Sequence, residues 1–376
     1  MKNPLLVLAA LGALSGAVSA QTSSVTLFGI IDLGARAVKN GDGGTVKSLF
    51  DGGLAASRMG FRGEEDLGGG LKAGFWLETP IFADVGGAGI ATGAPAAGGA
   101  TLAGKFFQRR STVSLSGPFG EVRLGRDFNP SFLNLGEFDV YGTTGFAGNA
   151  NLIGGGSLAA IGILGSGAGT IARVDNSVAY YLPGNLGGFY GSVMAAAGEN
   201  TNTANGNNRY VGGRIGYAAG PINVAGAVAR TRIPGNDDFR VWNVGASYDF
   251  SVVKLMALYH RADYTPAGLP NRFQKLWEIS GRVPMGQGEF RATYQRSDIG
   301  GGTPIGLRDQ DDARQYAVGY IYNLSRRTAV YADVGRIQNR GLSALAFPGG
   351  TAAGSNFGVV ADRNSTAFNL GVRHSF

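Results

Sequence analysis

Asn364-Ser-Thr-Ala-Phe-Asn-Leu-Gly-Val-Arg-His-Ser-Phe376 closes the chain, and its spacing decides the fold. Counting back by twos from the terminal aromatic gives His374, Val372, Leu370 and Phe368, while Ser375, Arg373, Gly371 and Asn369 fill the gaps. Strict two-residue alternation is the period of a strand with one apolar and one wet face. A soluble domain rarely ends on such a strand, because an unpaired edge templates aggregation. A closed transmembrane barrel pairs its last strand with its first and keeps no edge.

The other terminus agrees. Met1-Lys2-Asn3-Pro4 precedes an almost wholly apolar run from Leu5 to Val18, and Val18-Ser19-Ala20 stands before Gln21. A charged start, a short apolar run and a small-residue cleavage site predict a secretory signal over residues 1–20. The mature chain is then one domain, residues 21–376. Losing Lys2 lowers the formal charge from +7 to +6.

Composition narrows the chemistry. The chain has no cysteine and two histidines, His260 and His374. That removes disulfides, thiol nucleophiles and imidazole-rich metal sites, and no cofactor is expected. No later run approaches the roughly 20 apolar residues of a helical span. Glycine makes up 65 of 376 residues, which argues against long helices, since each interior glycine costs about 1 kcal/mol relative to alanine. A mean hydropathy of +0.02 without an apolar twenty-residue run is what a barrel gives, its apolar residues spread at every second position. The basic excess has no Lys/Arg block, so it reads as a field lining a surface and not as a nucleic-acid arm.

Alternating segments recur along the mature chain. Ser24–Val38 sets Leu27, Ile31, Leu33 and Ala35 against Asp32 and Arg36. Ala56–Glu65 sets Met59 and Phe61 against Arg58 and Arg62; Leu71–Glu78 sets Ala73, Phe75 and Leu77 against Lys72, Trp76 and Glu78. Lys105–Gly117 sets Val113 and Leu115 against Arg110, Thr112 and Ser114, and Val122–Asp127 follows a tight turn. Asp175–Leu182, Gly188–Ala197, Tyr210–Ala218, Ile222–Arg230, Val241–Phe250 and Val252–Asp263 continue the series. Phe273–Val283, Gly288–Ser297, Ala313–Asn323, Thr328–Gln338 and Ser365–Phe376 bring it to sixteen. Short turns such as Pro118–Gly120 alternate with long connections such as Thr79–Gly104 and Phe128–Val174. The expected fold is all-β: a transmembrane antiparallel barrel of about sixteen strands, short turns at the periplasmic rim, long loops outside, and a lumen wide enough for water.

From Ser24-Val-Thr-Leu-Phe-Gly-Ile-Ile-Asp32 onward the chain resembles the general diffusion porins of Gram-negative outer membranes, in their β-proteobacterial trimeric branch. Ser57–Ala73, Leu115–Arg126, Arg173–Val178 and Gly371–Phe376 carry the same likeness, in order along the mature chain. The resemblance implies an outer-membrane homotrimer of sixteen-stranded barrels that passes ions and small hydrophilic solutes, with no catalysis and with Phe376 as assembly signal. It also implies that the third long loop folds into the lumen. That loop is Phe128–Val174; its Glu137-Phe138-Asp139 is similar to the acidic constriction segment of these porins but lacks a preceding proline.

If the loop meets the opposite wall, Glu137 and Asp139 face a basic ladder of Arg36, Arg58, Arg62, Lys72, Arg110 and Arg123. A low-dielectric slot focuses such charge and raises local anion concentration, so mild anion preference is expected. The same arginines, if at strand ends, would instead hold lipopolysaccharide phosphates. Arg126 shares the parity of Val122 and Leu124 and is read as outward.

Other readings are weaker. Gly99–Lys105 matches a phosphate-binding loop up to its lysine, but Phe106 replaces the required Ser or Thr. Asp309, Asp311 and Asp312 lack calcium-loop spacing and read as solvated loop, or as a cation bridge to lipopolysaccharide. Both histidines read as polar tips near a rim. The alternatives kept open are a substrate-specific outer-membrane channel, a barrel hydrolase and an exported soluble β-sandwich.

Overall fold

The computed structural model describes residues 24–41, 44–88, 105–153, 170–198, 209–233, 237–265, 271–301, 312–341, 343–348 and 361–376. The expected signal segment, residues 99–104, Asp309 and Asp311 lie outside the described residues. The wall begins with β1 (Ser24–Asn40), β2 (Thr45–Asp51), β3 (Arg58–Gly68), β4 (Leu71–Phe82), β5 (Gly87–Ala88), β6 (Arg110–Gly117) and β7 (Gly120–Phe128). Helices α1 (Pro130–Glu137) and α2 (Ala150–Ile153) follow. The wall resumes with β8 (Arg173–Tyr181), β9 (Phe189–Ala196), β10 (Tyr210–Ala219), β11 (Ile222–Ile233), β12 (Asp237–Asp249) and β13 (Lys254–Thr265). It ends with β14 (Arg272–Met285), β15 (Gly288–Gly301), β16 (Ala313–Asn323), β17 (Thr328–Asn339) and β18 (Ser365–Ser375).

Neighbouring strands pair antiparallel, and β18 pairs with β1 from Ile30↔Ser375 to Asn40↔Ser365, so the sheet closes. β3 pairs with the first half of β1 and β2 with its second half, so the two occupy one wall position. β5 adds only two paired residues to β4. Sixteen wall positions remain, as the sequence reading expects. Closure satisfies every ladder without a free edge, which a hydrocarbon surround requires. The closed cylinder overturns the sandwich reading, which needs two stacked sheets.

The alternation is physical. On β18, Ser365, Ala367 and Asn369 are fully buried, while Phe368, Leu370 and Val372 are each about half exposed on the outside. At the seam, Gly29 and Phe376 exchange two backbone N–H···O=C bonds of 3.0 Å each. The terminal ring lies where a Cβ on Gly29 would sit, so residue 29 must be glycine for that ring to cover the seam.

The interior is asymmetric. Leu135, Phe138, Tyr141, Phe146, Leu152 and Ile153, all from residues 129–153, form one buried cluster with wall residues Leu258, Leu276 and Ile337 and with Leu345 and Phe347. The segment thus lies against the inner wall from β9 round to β17. β2, α1 and α2 were not legible in the sequence. The helices are short, and β2 lies beyond Lys39 in a stretch read as loop.

Candidate functional site

The inward segment begins with a capped helix. Asn129 is the N-cap: its Oδ1 accepts from Phe132 N at 2.7 Å, and Pro130 occupies the first helical turn, where its missing N–H costs nothing. α1 docks through amides. Asn134 Nδ2 donates to Asn243 Oδ1 at 2.8 Å, Asn243 Nδ2 donates to the Ser131 carbonyl at 3.0 Å, and Arg214 Nε donates to Asn134 Oδ1 at 2.8 Å. Phe138 packs on the bare backbone of Gly245, where a Cβ would collide with its ring.

Asp139 then organises the turn. Its carboxylate accepts from the backbone N–H of Tyr141 (2.7 Å), Thr143 (3.0 Å) and Asn149 (2.7 Å). Burial pushes Asp139 above the usual carboxylate range, against the pull of those three donors. Burial likewise pushes the Tyr141 hydroxyl up, with Arg291 beneath its ring at 3.9 Å opposing that shift. Farther on, the Ala147 carbonyl accepts from Gln295 (3.0 Å) and Gln315 (2.8 Å), and Phe146 N–H donates to the Gly53 carbonyl at 2.9 Å. The segment is therefore stitched to the wall by neutral amides over most of its length.

The wall of β3, β4, β6 and β7 carries charge instead. Glu78 accepts from Arg109 Nε at 2.5 Å and from Trp76 Nε1 at 3.0 Å, with Arg58 Nε at 3.6 Å. Asp127 accepts from Arg123 Nη1 at 3.0 Å and faces Arg110 Nε at 3.6 Å; Glu121 accepts from Arg123 Nε at 2.8 Å. Arg62 has no acidic partner among the described residues; its guanidinium sits 5.4 Å from the Trp76 ring and 5.5 Å from Phe28. Arg110 lies 4.6 Å over Trp76, and Arg123 lies 4.0 Å over Tyr181. Arg58, Arg62, Arg109, Arg110 and Arg123 face Glu78, Glu121 and Asp127, so this wall keeps a positive excess. A cavity of about 420 Å³ opens beside Arg62, Trp76, Arg110 and Arg123.

The expected ladder is brought together in part. Arg58, Arg62, Arg110 and Arg123 share this inward face. Lys72 is also inward but exposed, paired with Glu64 at 2.6 Å near the short Gly69–Gly70 turn. Arg36 is a correction: it is 2 % exposed, stacked 3.0 Å from the Phe50 ring centroid, and donates to the Pro348 carbonyl at 2.7 Å. Asp139 is a second correction, because its carboxylate is taken up by its own segment and by Glu278 of β14 and does not face the arginine wall. Glu137 remains half exposed, accepting from Asn223 Nδ2 at 2.8 Å with Arg214 Nη2 at 3.6 Å. His260 is fully buried and not a rim residue; His374 is exposed, with its Nδ1 2.9 Å from Thr328 Oγ1. Arg126 bonds to the Gln108 carbonyl (2.6 Å) and Asp175 (2.7 Å), beside a bulge in β8. Sequence reasoning missed Arg109, one residue before the expected Arg110, and Arg214. Arg373, beside Asp32 across the seam, was legible in the alternation of the last strand.

A cylinder with a plugged half and a charged, wet half matches a known family. Residues 7–342 match the family model described as Gram-negative porin. The chain belongs to that family. It is 38 % identical to outer membrane porin protein 32 of Delftia acidovorans over the full length of both, and 30 % identical to an outer membrane porin protein of Bordetella pertussis, again over both full lengths. Among solved structures, the anion-selective porin from Comamonas acidovorans superposes with a TM-score of 0.77 at 36 % identity, covering 94 % of this chain and 100 % of that one. The porin is thus an outer-membrane channel and not an enzyme, which removes the hydrolase reading.

Proposed function

We propose that this porin is a channel for passive diffusion of ions and small hydrophilic solutes with a preference for anions, set by Arg58, Arg62, Arg110 and Arg123. The observation that carries the reading is the inward wall with more guanidiniums than carboxylates, on which Arg62 lacks an acidic partner among the described residues. Rings of charged side chains set selectivity in narrow aqueous pores. The name of the solved relative, an anion-selective porin at 36 % identity, supports the same sign. Glu137 is the acid left facing the slot. A reversal potential measured across a planar bilayer under a potassium chloride gradient tests the reading: chloride-dominated current is expected, and cation-dominated current sinks it.

We further infer a cleaved signal over residues 1–20, Phe376 as the assembly signal, a homotrimer, and lipopolysaccharide as the outer-leaflet neighbour. Outward Arg230 and Arg240, 50 % and 61 % exposed, flank Asp238 near the long-loop rim and suit lipid phosphates. Mass spectrometry of the mature N-terminus checks the first point, since a start other than Gln21 contradicts it.

A further inference from the structure

Aromatic rings of a membrane barrel belong on its outer face, against lipid, yet Phe28 and Trp76 stand on the inner one. On β4, Phe75 is the exposed outward neighbour, and Trp76 alternates inward beside Glu78. The two inward rings meet at a tilt of 57° with centroids 4.7 Å apart. Both are half-buried, so they form an apolar shelf beside water. Two guanidiniums border that shelf. Arg110 is already engaged by Thr112 at 3.0 Å and Asp127 at 3.6 Å, whereas Arg62 is exposed and lacks an acidic partner among the described residues. The adjoining cavity of about 420 Å³ has room for a small organic solute; its two carboxylates, Glu64 and Glu121, are answered by Lys72 and Arg123.

We propose that this shelf is a subsite for planar aromatic carboxylates of benzoate size. The carboxylate meets the Arg62 guanidinium, and the flat ring lies against Trp76, which Phe28 buttresses. An aliphatic carboxylate gains only the first contact. A saturated ring of equal charge gains apolar contact but cannot stack, because its faces carry axial hydrogens and no π-system. The inference rests on the anion-preferring reading and adds a solute class to it.

The test measures chloride current through the purified full-length porin in planar bilayers while sodium benzoate or sodium cyclohexanecarboxylate is added. Benzoate is expected to block at a concentration about two- to twelve-fold lower, the range an aromatic pair supplies. Trp76→Leu is expected to abolish that ratio and Trp76→Phe to retain part of it. Should Trp76→Leu fail to fold, Phe28→Leu tests the shelf from its other side. Equal blocking concentrations in the wild type, or a ratio indifferent to both leucine variants, overturn the proposal. The potassium chloride reversal potential of the wild type decides the anion reading separately, so the two failures are distinguishable.

Discussion

The two halves of the lumen obey one alternation rule and end in opposite chemistry. From β9 to β17 the inward positions are rich in neutral amides, among them Asn243, Gln274, Gln295 and Gln315, and each bonds the inserted segment or a neighbour that holds it. From β3 to β7 the inward arginines, Arg62 excepted, are paired with carboxylates on their own wall, leaving the slot beside them to water. Amides suit a dry contact because they satisfy donor and acceptor together without a charge to desolvate. Guanidiniums suit a wet one, since their remaining donors stay solvated and their charge acts on passing ions. Inward polarity is thus not one property: the filled half meets its insert mainly through amides and keeps its charges, such as the Arg291–Asp333 pair, buried.

Asp139→Ala is the strongest way to break that division. It removes the acceptor for three backbone donors, costs the segment's anchoring about 2–3 kcal/mol, and is expected to raise mean single-channel conductance and its noise. Gly245→Val attacks the same anchor from the wall, driving Phe138 off its seat at a cost of about 1–3 kcal/mol. Faster protease cleavage between residues 138 and 153 would register it, and an unchanged digestion rate would show that the ring is not a structural stop.

pH sharpens the comparison. Because burial raises Asp139 in the folded porin, the folded state holds its proton more tightly than the unfolded one. Anchoring is therefore greatest below the ordinary carboxylate value of 3.8 and weakens as pH rises toward the raised folded value. Conductance noise is expected to grow across that interval in the wild type and to grow less in Asp139→Asn, where only the neighbouring acid Glu278 can still ionise. A flat wild-type profile would place the charge elsewhere.

On the charged half, Arg62→Ala is expected to lower the chloride-to-potassium permeability ratio by about two-fold, since the remaining guanidiniums persist and salt screens each within about 10 Å. Lys72→Ala should be silent in the same reversal-potential measurement. Its ammonium is exposed and already answered by Glu64, and pairs of that kind contribute little. A shift as large as that of Arg62→Ala would move the selectivity element to the short-turn rim.

Much of this was legible beforehand. All sixteen wall positions followed from period-two spacing, because lipid outside and water inside repeat at every strand and tolerate no slip. The inward parity of Arg58, Arg62, Arg110 and Arg123 came the same way. Parity says which face a side chain takes, but not what stands in front of it. Arg36 has the right parity and is buried beneath Pro348, a residue 312 positions away in sequence. Asp139 has the right charge, yet its carboxylate serves three backbone N–H groups of its own turn. Arg126, in register with Ser111, is taken up by the Gln108 carbonyl and by Asp175, which lies in the β8 bulge opposite Gly125–Asp127.

The amino-acid order by itself determined a closed cylinder, its strand number and the face of each side chain, since these follow from local geometry and from the demand that no backbone group meet hydrocarbon unpaired. Only the tertiary structure decided which inward residues are dry and which are wet. That depends on where residues 129–153 come to rest, through contacts far apart in the chain that no local period encodes.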